Sequence, residues 1–203
     1  MLVSAIMPTR GRPAMAQDAL SCFRRQTWPW RELIIIDDLD SRSFSEPPQA
    51  PGVHYHLLER RASVGAKRNI AIKRSRGDFI VHWDDDDLSN PVRIANQVEH
   101  LTDSPHVQIV GYGAVQFTDG RDWWMYRSPD SCFALGTSLM YRRAWWDSHR
   151  FPDLPIGEDT VFLSQARGRI AVYDCNGLMF CRIHGGNTST KVPVGAEWVK
   201  IAV

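Results

Sequence analysis

Leu33–Ile36 is a run of four apolar residues, three of them β-branched, with no polar position among them. A strand with one wet face alternates polar and apolar side chains; a strand covered on both faces has no reason to. The run therefore predicts a central strand with helices packed on both sides, the arrangement of a mostly parallel sheet in an α/β domain. It ends at Asp37 and Asp38.

The flanking sequence repeats that pattern. Leu2–Met7 reads as a short apolar strand, closed by the turn residues Pro8–Pro13. A helix is predicted from about Pro13 to Gln26, with Pro in its first turn and Met15, Ala19, Leu20, Cys22 and Phe23 on one face. The Ser- and Pro-rich stretch up to Gly52 reads as loop. Val53–Leu58 predicts a third strand and Ser63–Ser75 a second helix. After Gly77 a fourth strand, Asp78–Trp83, runs straight into Asp84–Asp87. Two of these strands thus end in acids at their C-terminal edge, where open α/β sheets bind ligands.

In the second half a helix is expected from Pro91 to His100. Strands Val107–Phe117 and Trp123–Tyr126 flank the turn Thr118–Arg121, and Ser138–Tyr141 reads as another short strand. A helix starts at Gly157 or Glu158 and runs to Ala166. Ile170–Tyr173 and Gly177–Ile183 read as late strands, and the last dozen residues carry no strong signal. A chain of 203 residues is long enough for one domain with a full core.

Composition narrows the partners. Basic residues number 24 and acidic residues 23, a net charge of +1, so nothing favours nucleic acid or an anionic membrane in general. The eight tryptophans are high for this length; such rings serve sugar ligands, but core packing is the commoner use. Cys22, Cys132, Cys175 and Cys181 form no C-x-x-C pair, and their reading is free buried thiols. No signal stretch or membrane-length apolar run occurs, so a cytoplasmic protein is expected, with the inner face of a membrane as a place where it could meet an acceptor.

Asp84–Asp87 is the strongest local feature. Four adjacent carboxylates repel one another, and a divalent cation is one reason to collect them. A solvated loop or helix start is the bland alternative. Asp37 and Asp38 could accept hydrogen bonds from a base or ribose, although Asp pairs more often shape turns. On the second helix Gly65, Arg68 and Asn69 share one side, and Arg suits phosphate or a base edge; Arg60, Arg61, Lys73 and Arg74 read as solvated. Glu158 and Asp159 stand at a helix start, where one could act as general base. His184, before Gly185 and Gly186, is a candidate metal or phosphate ligand, against a structural His as the commoner case. A Walker A loop, a complete dinucleotide fingerprint and a G-x-S-x-G elbow are absent.

Taken in order, these segments resemble the family 2 glycosyltransferases of the GT-A fold. The resemblance rests on Ile6–Arg10, Ile34–Asp38, Gly65–Asn69, Gly77–Asp87, Gly136–Arg143, Gly157–Asp159 and His184–Ser189, and spans about residues 2–190. It implies a Rossmann-like α/β sandwich with a small antiparallel element in the second half. One domain would divide into a nucleotide-binding half at 1–100, an acceptor-binding half at 101–190 and a tail at 191–203. It also implies inverting, metal-dependent transfer from a nucleotide-sugar, a UDP-sugar first, to a sugar, lipid-linked sugar or other hydroxyl acceptor. By position, Asp86 would ligate Mn²⁺ or Mg²⁺, with His184 near the metal or diphosphate. Asp84 and Asp85 complete the D-x-D element, Asp84 near the ribose. Asp37 and Asp38 would meet the base, Thr9 and Arg10 line the nucleotide pocket, and Arg68 contact the nucleotide. Asp159 would be the catalytic base, with Glu158 and Gly136 on the acceptor side. Leu39–Ser41 departs from the family's usual Gly-Ser, and four acids leave the D-x-D register open by one position.

Three other readings stay in view. A glycoside hydrolase also needs two carboxylates, but not the nucleotide set. A sugar nucleotidyltransferase would carry a Gly-rich opening loop, where this chain has Met7–Arg12. A non-catalytic nucleotide-sugar binder would not require both Asp86 and Asp159.

Overall fold

The computed structural model describes residues 1–189 and 191–202; positions 190 and 203, which close the two later segments of the expected division, lie outside them. The first half contains strands β1 (Val3–Pro8), β2 (Arg31–Asp38), β3 (Val53–Leu58), β4 (Phe79–His82) and β5 (Leu88–Ser89), with helices α1 (Pro13–Arg24), α2 (Val64–Arg74) and α3 (Arg93–Asp103). The second half contains β6 (Ile109–Thr118), β7 (Trp123–Arg127), β8 (Met140–Arg142), α4 (Arg143–Ser148), α5 (Glu158–Ser164), β9 (Ile170–Asp174), β10 (Met179–Arg182) and β11 (Trp198–Ile201).

Strands β3, β2, β1 and β4 lie side by side and parallel. The second half joins through β8, antiparallel to both β4 and β6, and β6 pairs antiparallel with β7. The register aligns Pro8 with Ile36 and Ile6 with His82. Thr9, Asp38 and Asp84 therefore leave the sheet along one edge.

The run at Leu33–Ile36 shows why it needs no alternation. Leu33 and Ile35 join the apolar cluster under α1 and α3, with Leu20, Phe23, Ile94 and Val98. Ile34 and Ile36 join the opposite cluster under α2, α4 and α5, with Ile72, Trp146 and Phe162. All four are completely buried. Burial of such a side chain stabilises by roughly 1.5–3 kcal/mol, so this strand anchors both layers.

At the opposite edge of the sheet a polar knot is buried. Ser4 Oγ donates to Glu32 Oε1 at 2.7 Å, and the Arg76 backbone N–H donates to the same oxygen at 2.6 Å. Ser63 caps α2 by accepting from the Ala66 N–H at 3.0 Å.

Besides the 3-10 turn Gly136–Ser138, three elements of the described residues have no counterpart in the sequence-based expectation. These are β5, α4 and β11. β5 is too short for a periodic signal and exists through its antiparallel pairing with β10. α4 is a six-residue helix carrying the buried Trp145 and Trp146. β11 lies within the weak-signal tail and is held by pairing with β7, where Trp198 packs edge-on against Phe117 and Tyr126. The thiol expectation needs one correction: Cys132 is exposed, while Cys22, Cys175 and Cys181 are buried and free. Among the described residues no helix is long and apolar enough to cross a membrane.

Candidate active site

Asp84–Asp87 forms a tight loop between β4 and β5, and each carboxylate has its own surroundings. Asp84 is partly exposed and faces Arg68 at 3.3 Å. Asp85 is buried, accepts from Thr9 Oγ1 at 2.6 Å and pairs with Arg12 at 2.7 Å. Burial, and then the charge of Asp86, push its carboxyl up to about 6 against the pull of Arg12 and Thr9. Asp86 Oδ2 collects Arg12 at 2.8 Å, His184 Nε2 at 3.1 Å and Asn187 Nδ2 at 3.3 Å. Asp87 is buried and accepts from Thr137 Oγ1. Burial, then Asp86 and Asp84, push it up to about 8.

The loop is braced from two sides. β10, paired with β5, delivers Arg182, whose Nε donates to the Asp86 carbonyl at 2.8 Å. The buried Arg93 of α3 donates to the carbonyls of His82 and Thr137, each at 3.0 Å. The β5–β10 pair also carries His184 and Asn187 to Asp86.

Asp37 and Asp38 lie below the cleft rather than in its wall. Asp37 accepts from the Ser43 N–H at 2.7 Å, the Phe44 N–H at 3.4 Å and the Tyr55 hydroxyl at 3.0 Å. It organises the loop after β2. Asp38 is fully buried and pairs with Lys67 at 2.6 Å, whose ammonium also donates to the Thr9 carbonyl at 2.7 Å. Arg10 lies 3.6 Å from Asp38 and 3.0 Å from Asp40.

The facing wall comes from the second half. Gly157 takes a left-handed conformation (φ 80°) that turns the chain into α5. Glu158 is buried and lies 3.3 Å from Arg68 Nε, a close ion pair without the alignment of a hydrogen bond. Burial raises the Glu158 carboxyl, Arg68 opposes that, and Asp159 adds to it. Arg68 is itself buried and spans Asp84 and Glu158, so it links the two walls. Gly65, Arg68 and Asn69 do share one side of α2. Asn69 donates to the Phe151 carbonyl at 2.8 Å and accepts from Trp146 Nε1 at 2.9 Å. Asp159 is partly exposed beside Gly136; its Oδ1 accepts from the Thr160 N–H at 2.8 Å. The Gly136 carbonyl faces His82 Nδ1 at 2.6 Å.

These walls enclose a cleft of about 1280 Å³ lined by Thr9, Arg10, Arg12, Arg68, Asp84–Asp87, Gly136, Glu158 and Asp159. Such a volume accommodates a nucleotide-sized ligand with a second substrate. Phe117, Tyr126 and Trp198 also line it. Of the residues expected from sequence, Asp37, Asp38 and His184 are outside this lining, although His184 touches Asp86.

Among the described residues no three His, Cys, Asp or Glu side chains converge as a self-sufficient metal site. The donor set still fits a divalent ion shared with a ligand. Asp86 supplies a hard carboxylate oxygen and His184 an imidazole nitrogen 3.1 Å away, and ions of this kind complete their shell with phosphate oxygens and water.

Arg12, Lys67, Thr137 and Arg182 contact the acidic groups, although the sequence assigns none of them an individual role, Lys67 standing only in the basic stretch with Arg68 and Arg182 only at the head of the His184 segment. Arg12 and Lys67 had one usable signal: each belongs to a segment leaving the acidic edge, where a buried carboxylate needs a cation. Thr137 and Arg182 had none, because their contacts depend on long-range pairing.

An α/β sandwich with carboxylates at the ends of its parallel strands and an acid on the facing helix defines a GT-A type domain. The family model "Glycosyl transferase family 2" matches residues 4–160. The chain belongs to that family. It is 28% identical over 123 residues to EpsE of Bacillus subtilis (strain 168), which carries a glycosyltransferase name; the match covers 58% of this chain and 44% of that protein. It is 32% identical over 105 residues to WcaA of Escherichia coli (strain K12), whose name refers to colanic acid biosynthesis, covering 49% of this chain and 37% of that protein. The chain thus spans less than half the length of these relatives. Among solved structures, S. aureus TarS 1-349 in complex with UDP-GlcNAc superposes with a TM-score of 0.74 at 21% identity, covering 95% of this chain and 62% of that one. The mannosyltransferase PcManGT of Pyrobaculum calidifontis, in complex with GDP-Man and Mn²⁺, superposes at 0.65 with 15% identity, covering 92% of this chain and 58% of that one. At such identities the likeness is one of fold.

Proposed function

We propose that this chain transfers a sugar from a nucleoside-diphosphate sugar, a UDP-sugar first, to an acceptor hydroxyl with inversion at the anomeric carbon. The observation that carries the reading is the single cleft walled by Asp84–Asp87 on one side and by Gly136, Glu158 and Asp159 on the other. Residues 1–100 then serve the nucleotide and 101–190 the acceptor. UDP-GlcNAc in the TarS complex and GDP-Man with Mn²⁺ in the PcManGT complex support a nucleotide-sugar donor.

In this reading Thr9 and Arg10 flank the nucleotide, and Lys67 fixes Asp38 beneath the base. Asp84 meets the ribose and is held by Arg68. Asp86 and His184 hold a divalent ion, Mn²⁺ or Mg²⁺, which when bound would neutralise charge developing on the leaving diphosphate. Asp159 accepts the proton of the acceptor hydroxyl as its oxygen bonds to the anomeric carbon and the bond to the diphosphate breaks. Glu158, neutralised by Arg68, orients α5 and with Gly136 borders the acceptor. Binding both substrates in register supplies the orientation term.

Asp159→Asn tests the assignment. Nucleotide binding by calorimetry is expected to stay within about threefold of wild type, while sugar transfer falls by at least about 100-fold, the range of lost general-base catalysis. Transfer at the wild-type rate would remove Asp159 as base. Release of free sugar from a simple glycoside without nucleotide would favour a hydrolase instead.

A further inference from the structure

Arg12 is bound more closely to the acidic loop than any other cation. Its NH1 lies 2.7 Å from Asp85 Oδ1 and 2.8 Å from Asp86 Oδ2, and its NH2 donates to the Gly186 carbonyl. Among the described residues the other partners of these two carboxylates are Thr9, Asn187 and the His184 ring. The guanidinium is the group that bridges them with a full charge.

The same turn governs His184. The Gly186 N–H donates to His184 Nδ1 at 3.1 Å. A neutral ring accepting at Nδ1 carries its proton on Nε2, and that proton points to Asp86 at 3.1 Å. Arg12 therefore pairs with Asp86 directly and, through the Gly186 carbonyl, holds the turn whose N–H contacts His184.

We propose that Arg12 is a positioning residue that competes with the divalent ion for Asp85 and Asp86, so that the ion enters as Arg12 is displaced and a nucleoside diphosphate promotes entry by receiving the guanidinium. The inference rests on the reading of Asp86 and His184 as metal ligands. It makes metal binding and donor binding mutually reinforcing, since each removes a competitor of the other. It also distinguishes Arg12 from a residue that only shapes the turn, because charge rather than shape is what competes.

The test is Mn²⁺ titration of the whole chain, by calorimetry and by the electron paramagnetic resonance signal of free Mn²⁺, with and without UDP. Without UDP, Arg12→Gln and Arg12→Met are each expected to bind Mn²⁺ at least about tenfold tighter than wild type, as removal of a contacting unit charge implies. Arg12→Lys, which keeps the charge, should stay near wild type. Adding Asp86→Asn to Arg12→Gln should erase the gain, and UDP should tighten Mn²⁺ more in wild type than in Arg12→Gln. Wild-type binding of Mn²⁺ with UDP, joined to no tightening in Arg12→Gln or Arg12→Met, overturns the role of Arg12. A gain that survives Asp86→Asn overturns it as well. No Mn²⁺ binding by any variant even with UDP instead overturns the metal reading on which it rests.

Discussion

Gly136→Ala tests the geometry around Asp159 with one methyl group. A Cβ built on Gly136 would stand 2.7 Å from Asp159 Cβ and would overlap the carboxylate itself. Carbon atoms rest at about 3.5 Å or more, so Asp159 Cβ has to retreat by about 0.8 Å and its carboxylate by more. A misplacement of about 1 Å costs roughly 100-fold in rate, or about 2.7 kcal/mol in the barrier. The 3-10 turn Gly136–Ser138 and α5 share the strain, and overpacking of this kind costs about 1–3 kcal/mol of stability. The three atoms nearest to that methyl all belong to Asp159. The expected outcome is therefore a folded enzyme with donor affinity within about threefold of wild type and kcat reduced about 100-fold. Calorimetry with UDP measures the first and nucleotide release measures the second. A kcat within threefold of wild type would refute the reasoning that Asp159 is held at its working position by the absence of a side chain at 136. A loss confined to donor affinity would reassign Gly136 to the donor pocket.

Other substitutions probe the buried charges. Arg68→Met leaves Asp84 and the buried Glu158 facing each other without their shared cation. Breaking such a buried pair costs about 3–5 kcal/mol, measurable as a shifted urea midpoint; a change under 1 kcal/mol would mean water already screens the pair. Glu32→Gln removes a carboxylate that is buried yet held below its ordinary range, because Ser4 and Arg76 outweigh the cost of burial. Its stabilisation is present above the unfolded value of about 4.3 and is lost as pH falls through the lower folded value. The variant is therefore expected to be about 1–3 kcal/mol less stable at pH 7, with the difference shrinking below about pH 4. A difference that grows toward acid would contradict the assigned sign.

Sequence by itself determined the parallel half of the sheet. Leu33–Ile36 required cover on both faces, and the turn residues after β1, the acids that end β2 and those that follow β4 marked one edge for the site. That information is local: periodicity, capping and burial act within a few residues. Glu158 and Asp159 were legible for the same reason, as acids at a helix start. Tertiary structure decided which of the clustered groups act together. Pairing of β5 with β10 brings His184 and Asn187 to Asp86 across 98 and 101 residues. The same long-range packing seats Lys67 on Asp38, Arg68 between Asp84 and Glu158, and Arg12 on Asp85 and Asp86. No local pattern encodes these contacts, because a buried carboxylate needs a cation but does not specify which one the fold will deliver. The acidic loop was thus readable as a candidate site, while its division into two buried carboxylates, Asp85 and Asp87, and two partly exposed ones, Asp84 and Asp86, is a property of the folded chain.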